Sequence, residues 1–315
     1  MSSLAVSASD RRRYGRQNLA ILAAQMLAWF ALIDALHRPL PLALKAVLLL
    51  VFVLVMQGVF SLMHDCIHGN GHPSPALDRL IGVLSATVFG TTYTLFRVNH
   101  EGHHLRNRTR AEVAEYFYAD DHRAWKTFKY YAAILGGIWL ASFLAVFVLP
   151  LVPYARVRAK ARAIDASSGS MNGYTLSFNQ YSAQDWREQR LECAFAIAFW
   201  LAVATFAGWR IEVLAVAYAA FGFSWSSLQW IYHMRTPLDP VEGAYNLRAP
   251  WPVRALMLNF NYNLSHHRHP GAPWQRLHAL TDLAQTQPIL ARYLAVFRPP
   301  EPMPADPASI RKVYF

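Results

Sequence analysis

Charge is what this sequence is short of. Only 16% of its 315 residues are Asp, Glu, Lys or Arg, where a soluble domain carries about 25%. Cysteine is nearly absent as well. Cys66 and Cys193 are the full complement; one sits inside a histidine pair and the other in an apolar run, so no disulfide framework is implied. No internal repeat or low-complexity stretch occurs. The start, MSSLAVSASDRRRYGRQ, has no small-residue cleavage site ahead of the long apolar run that follows. It reads as a basic cytoplasmic tail and not as a removable leader. What is abundant is apolar surface: 54% hydrophobic residues, with 10 Trp, 15 Tyr and 18 Phe, a composition that excludes bulk disorder. The net charge of +11 falls on the flanks of apolar runs, which points to anionic lipid and away from nucleic acid.

The apolar runs set the expected architecture. A bilayer crossing needs about 20 apolar residues. Residues 17–36 and 42–63 meet that and form one hairpin; 191–208 and 211–232 form a second. Residues 76–97 read as an interfacial helix. The basic stretches at the N-terminus, 97–110 and 156–190 all favour the cytoplasmic side. A single crossing by 129–153 would put the last of these outside. That run is expected to be re-entrant or interfacial, with Gly136 and Gly137 available for a bend; the alternative is a single crossing with one of the later runs lying in the interface. The fold class is an all-α integral membrane protein with about four crossings in two hairpins and a cytoplasmic histidine-rich cap. The expected division is a basic tail (1–16), one membrane domain (17–290) and a polar C-terminal tail (291–315).

Eight of the 13 histidines fall in three windows, 64–68, 100–104 and 263–269, where an even spread would place about one. His64 and His68 are four apart, so a helix puts them on one face. His100, His103 and His104 have three- and four-residue spacings. The third window, NLSHHRH, holds His266, His267 and His269, with Asn263 where the same spacing would start. His233 ends the last apolar run. A structural zinc takes four ligands and a catalytic zinc three plus water, so this many imidazoles fit two ions in one cage. Imidazole suits iron, zinc, copper or nickel; open positions able to take O2 favour an iron pair. Asp65 and Glu101 lie inside the windows as groups able to orient ring N–H donors. His37, His72, His122 and His278 read as bystanders.

HDCIH, HEGHH and the HH of NLSHH resemble, in order and spacing, the three histidine boxes of the membrane fatty acid desaturase superfamily. The stretch SFNQYSAQDWREQR and the late His233 fit too, and the resemblance covers roughly residues 40 to 285. It implies two iron ions held by His64, His68, His100, His103, His104, His233, His266 and His267, with O2 as co-substrate. Asn263 departs from the histidine most members carry there, which leaves the roles of Asn263 and His269 open. The resemblance implies oxidation of a fatty acyl or other lipid chain, desaturation foremost. Hydroxylases, carotenoid ketolases and alkene-forming decarboxylases share the boxes, so the reaction stays open.

An apolar tunnel is expected, with Phe221, Phe223, Trp225 and Trp230 as lining candidates. No haem or flavin domain is visible, so electrons come from a separate ferredoxin-, rubredoxin- or cytochrome-type carrier, for which Arg106, Arg108 and Arg110 offer a docking surface. A zinc-dependent hydrolase is disfavoured by the ligand count. A metal transporter would hold its ligands near the bilayer midplane.

Overall fold

The computed structural model describes residues 6–164, 171–304 and 306. The first five residues of the basic tail, residues 165–170 of the basic loop, and 305 and 307–315 of the polar tail lie outside the described residues. Ten helices come first: α1 (Ala8–His37), α2 (Leu42–Ile67), α3 (Pro75–Phe89), α4 (Tyr93–Arg106), α5 (Arg123–Ala132), α6 (Ile138–Val148), α7 (Tyr154–Arg162), α8 (Gly173–Leu176), α9 (Ala183–Ala207) and α10 (Ile211–Ile231). Four shorter ones follow: α11 (Trp251–Leu256), α12 (Asn263–Arg268), α13 (Trp274–Leu280) and α14 (Ile289–Val296). Two-residue strands tie the cap together. β1 (Tyr116–Phe117) pairs in parallel with β4 (Glu301–Pro302), and β2 (Leu247–Arg248) with β3 (Gln287–Pro288).

Both expected tails are shorter than the sequence suggests. The Ser7 hydroxyl accepts from the Asp10 N–H and caps α1, so the basic run 11–16 forms that helix's opening turns. At the other end, α14 packs along α10, with a bond between Tyr293 and Ser227 hydroxyls and Phe297 stacked on Phe223. Apolar side chains that dock on a neighbour are what residues 291–297 contribute, and the polar average of the segment hides them.

Among the described residues, five helical stretches are long and apolar enough to cross a membrane: α1, α2, Arg123–Leu151, α9 and α10. The third contains a break. Leu135 and Gly136 leave helical geometry, with Gly136 at φ 120°, a conformation that glycine adopts without a Cβ clash. Before the break Tyr130 bonds Met234 Sδ, and at it Gly136 lies against Gly222, so the chain of α5 runs antiparallel to α10. After it, Val146 packs with Cys193 and Ala196, and Leu149 with Trp186, so α6 runs antiparallel to α9. Both ends of the stretch therefore lie at the same end of the molecule as Met234 and Trp186.

The α3–α4 pair is bent by 97°, and the bend sits deep among aromatic side chains. A helix end there leaves backbone carbonyls with no water to receive them. The sequence supplies donors from three other helices. Trp200 Nε1 reaches Thr87 O at 2.9 Å, the Tyr218 hydroxyl reaches Val88 O at 2.6 Å, and Trp139 Nε1 reaches Phe89 O at 2.9 Å. Gly90, at φ 94°, closes the helix, and its N–H and that of Thr91 return to Ala86 O. At the start of α4, Glu192 accepts from both the N–H and the hydroxyl of Thr94. Phe60 centres the core, with Phe89, Phe96, Trp225 and Phe260 edge-on or tilted around it at 4.9–6.0 Å.

The expected docking arginines are mostly interior. Arg106 and Arg108 are 4% and 3% exposed. Arg108 pairs with the equally buried Glu115 at 2.7 Å and donates to Thr236 O; Arg110 pairs with Asp120. Arg108 and Glu115 join the end of α4 to the cap, and Glu115 also accepts from the Arg235 N–H. Removing one member of such a pair strands a buried charge, at a cost of about 3–5 kcal/mol. Glu115→Ala is expected to lower the melting temperature of the detergent-solubilised protein accordingly; an unchanged melt would show that the pair carries no stability.

Candidate metal centre

The histidines converge because four elements end at one place. His64 sits in the last turn of α2 and His68 caps it. His100, His103 and His104 occupy the last two turns of α4. His233 follows α10, and His266 and His267 lie on α12. The structure sorts these eight into two adjoining groups. His64, His68, His100, His104 and His266 offer ligand atoms within 4.8 Å of one another, and so do His103, His233 and His267.

Helical geometry explains the sorting. Each residue advances about 100° around an α-helix. His100 and His104 are about 40° apart and face the first group; His103, about 100° from His104, faces the second. The adjacent pair His266 and His267 divides the same way. The two groups abut where the His104 and His267 rings lie 4.5 Å apart.

Within the first group, Nε2 of His100 lies 3.0 Å from that of His68 and 2.9 Å from that of His104, which is 3.0 Å from that of His266. A neutral imidazole has one N–H and one lone pair, so several Nε2 atoms aimed at one point crowd lone pairs that a cation would separate. His64 Nε2 and His267 Nε2 are buried with no hydrogen-bond partner, a costly state unless another species receives them. Burial holds His233, His266 and His267 well below the usual imidazole value and pushes His68 down to about 3. The rings are therefore neutral at pH 7, the form that binds metal. The donor set fits metal ions.

Asn263 starts α12 one turn before His267. It is buried, and its Oδ1 has no partner. His269, past the end of α12, is half-buried and belongs to neither group. Asp65 and Glu101 are directed elsewhere: Asp65 accepts from the Trp274 N–H at 3.1 Å, and Glu101 pairs with Arg97 at 3.2 Å. His37, His72, His122 and His278 lie outside both groups.

The carboxylate that does meet a ring is Glu112, whose Oε2 is 2.6 Å from His103 Nδ1. No helical spacing links residues 103 and 112, so pattern alone does not reveal it. Arg106 holds Glu112 Oε1 at 3.3 Å and anchors on Gly173 O and the Ser177 hydroxyl. Gly102 makes room for it, since a Cβ there would lie 2.4 Å from the Arg106 guanidinium. The glycine of HEGHH thus serves the arginine that steadies the glutamate. His233 Nδ1 is 2.9 Å from Gly243 O, which makes Nδ1 the protonated nitrogen and leaves Nε2 as the ligand atom.

A cavity of about 560 Å³ opens from the histidines. His100, His103, His233 and Asn263 line one part; Phe60, Leu95, Phe96, Trp225, Trp230 and Phe260 form aromatic and aliphatic walls. Ala132, Ala133, Gly137, Ile138 and Ala141 complete it from both sides of the α5–α6 break. Of the aromatics expected to line a tunnel, Trp225 and Trp230 do. Phe221 packs on Phe89 in the core, and Phe223 is 39% exposed.

Apolar helices, clustered imidazoles of metal-ligating geometry and an apolar cavity against them define a membrane protein built around a histidine centre. The sequence model of one family, fatty acid desaturase, matches residues 39–300. The chain belongs to the fatty acid desaturase family, a family of oxidoreductases that modify fatty acids. A search of curated proteins returns no match.

Partners that orient metal-binding histidines contribute about 10- to 100-fold to metal affinity. Glu112→Ala is expected to weaken metal retention by that order, measured as metal per protein after dialysis against a chelator. Retention equal to wild type would remove Glu112 from the centre.

Proposed function

We propose that this chain is a membrane-bound non-haem di-iron enzyme that uses O2 to oxidise a fatty acyl chain, desaturation being the first expectation. The observation that carries the reading is the paired arrangement of histidine groups, five and three, against one end of an apolar cavity. His64, His68, His100, His104 and His266 would hold one iron. His103, His233 and His267 would hold the other, with Asn263 Oδ1 the remaining buried donor on the cavity side. Bound there, the iron pair would supply the oxidising power needed to take hydrogen from unactivated CH2 groups.

The chain's own residues do the rest. Glu112 and the Gly243 carbonyl hold the His103 and His233 rings in orientation. Phe60, Phe96, Trp225 and Phe260 keep water away and confine a methylene chain beside the histidines. The weaker donor at Asn263 favours a second reading, a hydroxylase, ketolase or decarboxylase of the same family.

In this reading α1, α2, α9 and α10 cross the membrane, while α3–α4 and α5–α6 enter and return, which supports a cytoplasmic position for the centre beside the basic opening turns of α1. Electrons arrive from a separate carrier; the buried Arg106 and Arg108 take no part in docking it.

Lipids from cells expressing the chain, profiled by mass spectrometry, are expected to contain a new unsaturated acyl chain. His103→Ala and His267→Ala should each abolish it, by more than about 100-fold, and lose iron while still inserting in the membrane. A hydroxylated, oxo or chain-shortened product would move the assignment to the second reading. Full turnover in either variant would overturn the ligand assignment.

A further inference from the structure

Helix α1 begins before the region matched by the family, 39–300, yet it touches the loops that carry two of the three histidine windows. Asn18 makes the contact. It is fully buried. Its amide nitrogen donates to Asn70 O at 3.2 Å and Gly71 O at 2.9 Å, in the loop just after His68. Its carbonyl oxygen accepts from Trp274 Nε1 at 2.9 Å and Gln275 Nε2 at 3.2 Å, at the start of α13. Trp274 also donates its backbone N–H to Asp65, between His64 and His68. One turn earlier on α1, a Cβ at Gly15 would lie 2.5 Å from the His72 ring and 2.7 Å from Pro73, so the loop lies flat on the α1 backbone.

His68 and His266, from the two windows so joined, belong to the same group of five, with ring centroids 4.7 Å apart. An amide suits the junction because one side chain presents donors to the carbonyls on one side and an acceptor to the N–H groups on the other. Neither a carboxylate nor an ammonium does both.

We propose that Asn18 is a positioning residue for the metal centre: it clamps the loop after His68 to the segment after His267 and so sets the distance between the first and third windows. The clamp rests on the metal-centre reading above. It acts through His68 and His266 and touches no ligand itself, so its signature lies in metal retention and ligand geometry.

The test uses the full chain in detergent, loaded with iron or with cobalt(II) as a spectroscopic probe. Asn18→Ala removes all four bonds. Trp274→Phe is the milder variant, losing the indole donor while keeping a ring. Leu22→Ala, on the buried face of α1 one turn from Asn18, removes none of the four bonds and reports loss of helix packing. Asn18→Ala and Trp274→Phe are expected to release metal to a chelator about 10-fold faster than wild type, the order found for outer partners of metal ligands, and to shift the visible cobalt(II) bands. Leu22→Ala should do neither, even where its melting temperature falls as far. Wild-type release and spectrum in both Asn18→Ala and Trp274→Phe would overturn the clamp. So would equal release from Leu22→Ala at an equal loss of melting temperature. A wild-type chain that takes up neither metal would instead overturn the metal-centre reading and the clamp with it.

Discussion

Imidazole nitrogens brought together out of water are the constraint around which this structure is arranged. Neutral rings at 3 Å repel through their lone pairs, and each buried nitrogen demands a partner. The arrangement persists only if the rings are held from behind. Glu112 and the Gly243 carbonyl do so directly. Arg106 holds Glu112, Gly102 clears space for Arg106, and Asn18 ties two loops across the back. Polar residues that look dispersed along the chain are thus successive supports of one cluster.

The same logic operates deeper in the apolar layer. A bent helix pair leaves backbone carbonyls inside an apolar core, and two indoles and a phenol from α6, α9 and α10 meet them. Those bonds fix where α4 starts, and hence the height at which His100, His103 and His104 arrive. The cavity depends on a second irregularity. The break at Leu135 and Gly136 turns small residues toward the space beside the histidines. Both interruptions of regular helix therefore face the centre and shape it.

Much of this was legible in the sequence. Histidines four apart on a helix, such as His64 and His68 or His100 and His104, share a face, and the windows were readable for that reason; that His103 turns to a second group was not. The glycine pair at 136 and 137 announced the bend. What escaped was tertiary. Glu112 reaches His103 around a turn that has no periodicity. Glu101, with ideal spacing inside its window, is drawn off by Arg97. Arg106 and Arg108 looked like surface charge because composition records charge and not burial. Residues 291–297 looked like a tail because the docking partner, α10, is some 65 residues distant. Asn18 carries no signal at all, being one amide in an apolar run.

The adjacent pairs His103–His104 and His266–His267 place neighbouring residues of the same backbone in different groups. Two ions held there would share two helices, so filling the larger group would order His103 and His267, two of the three ligands of the other, before its ion arrived. The first ion would then bear most of the ordering cost and the second would bind a scaffold already set. Such a centre would load in pairs: partial metal supply would divide the population into full and empty molecules, with few carrying a single ion.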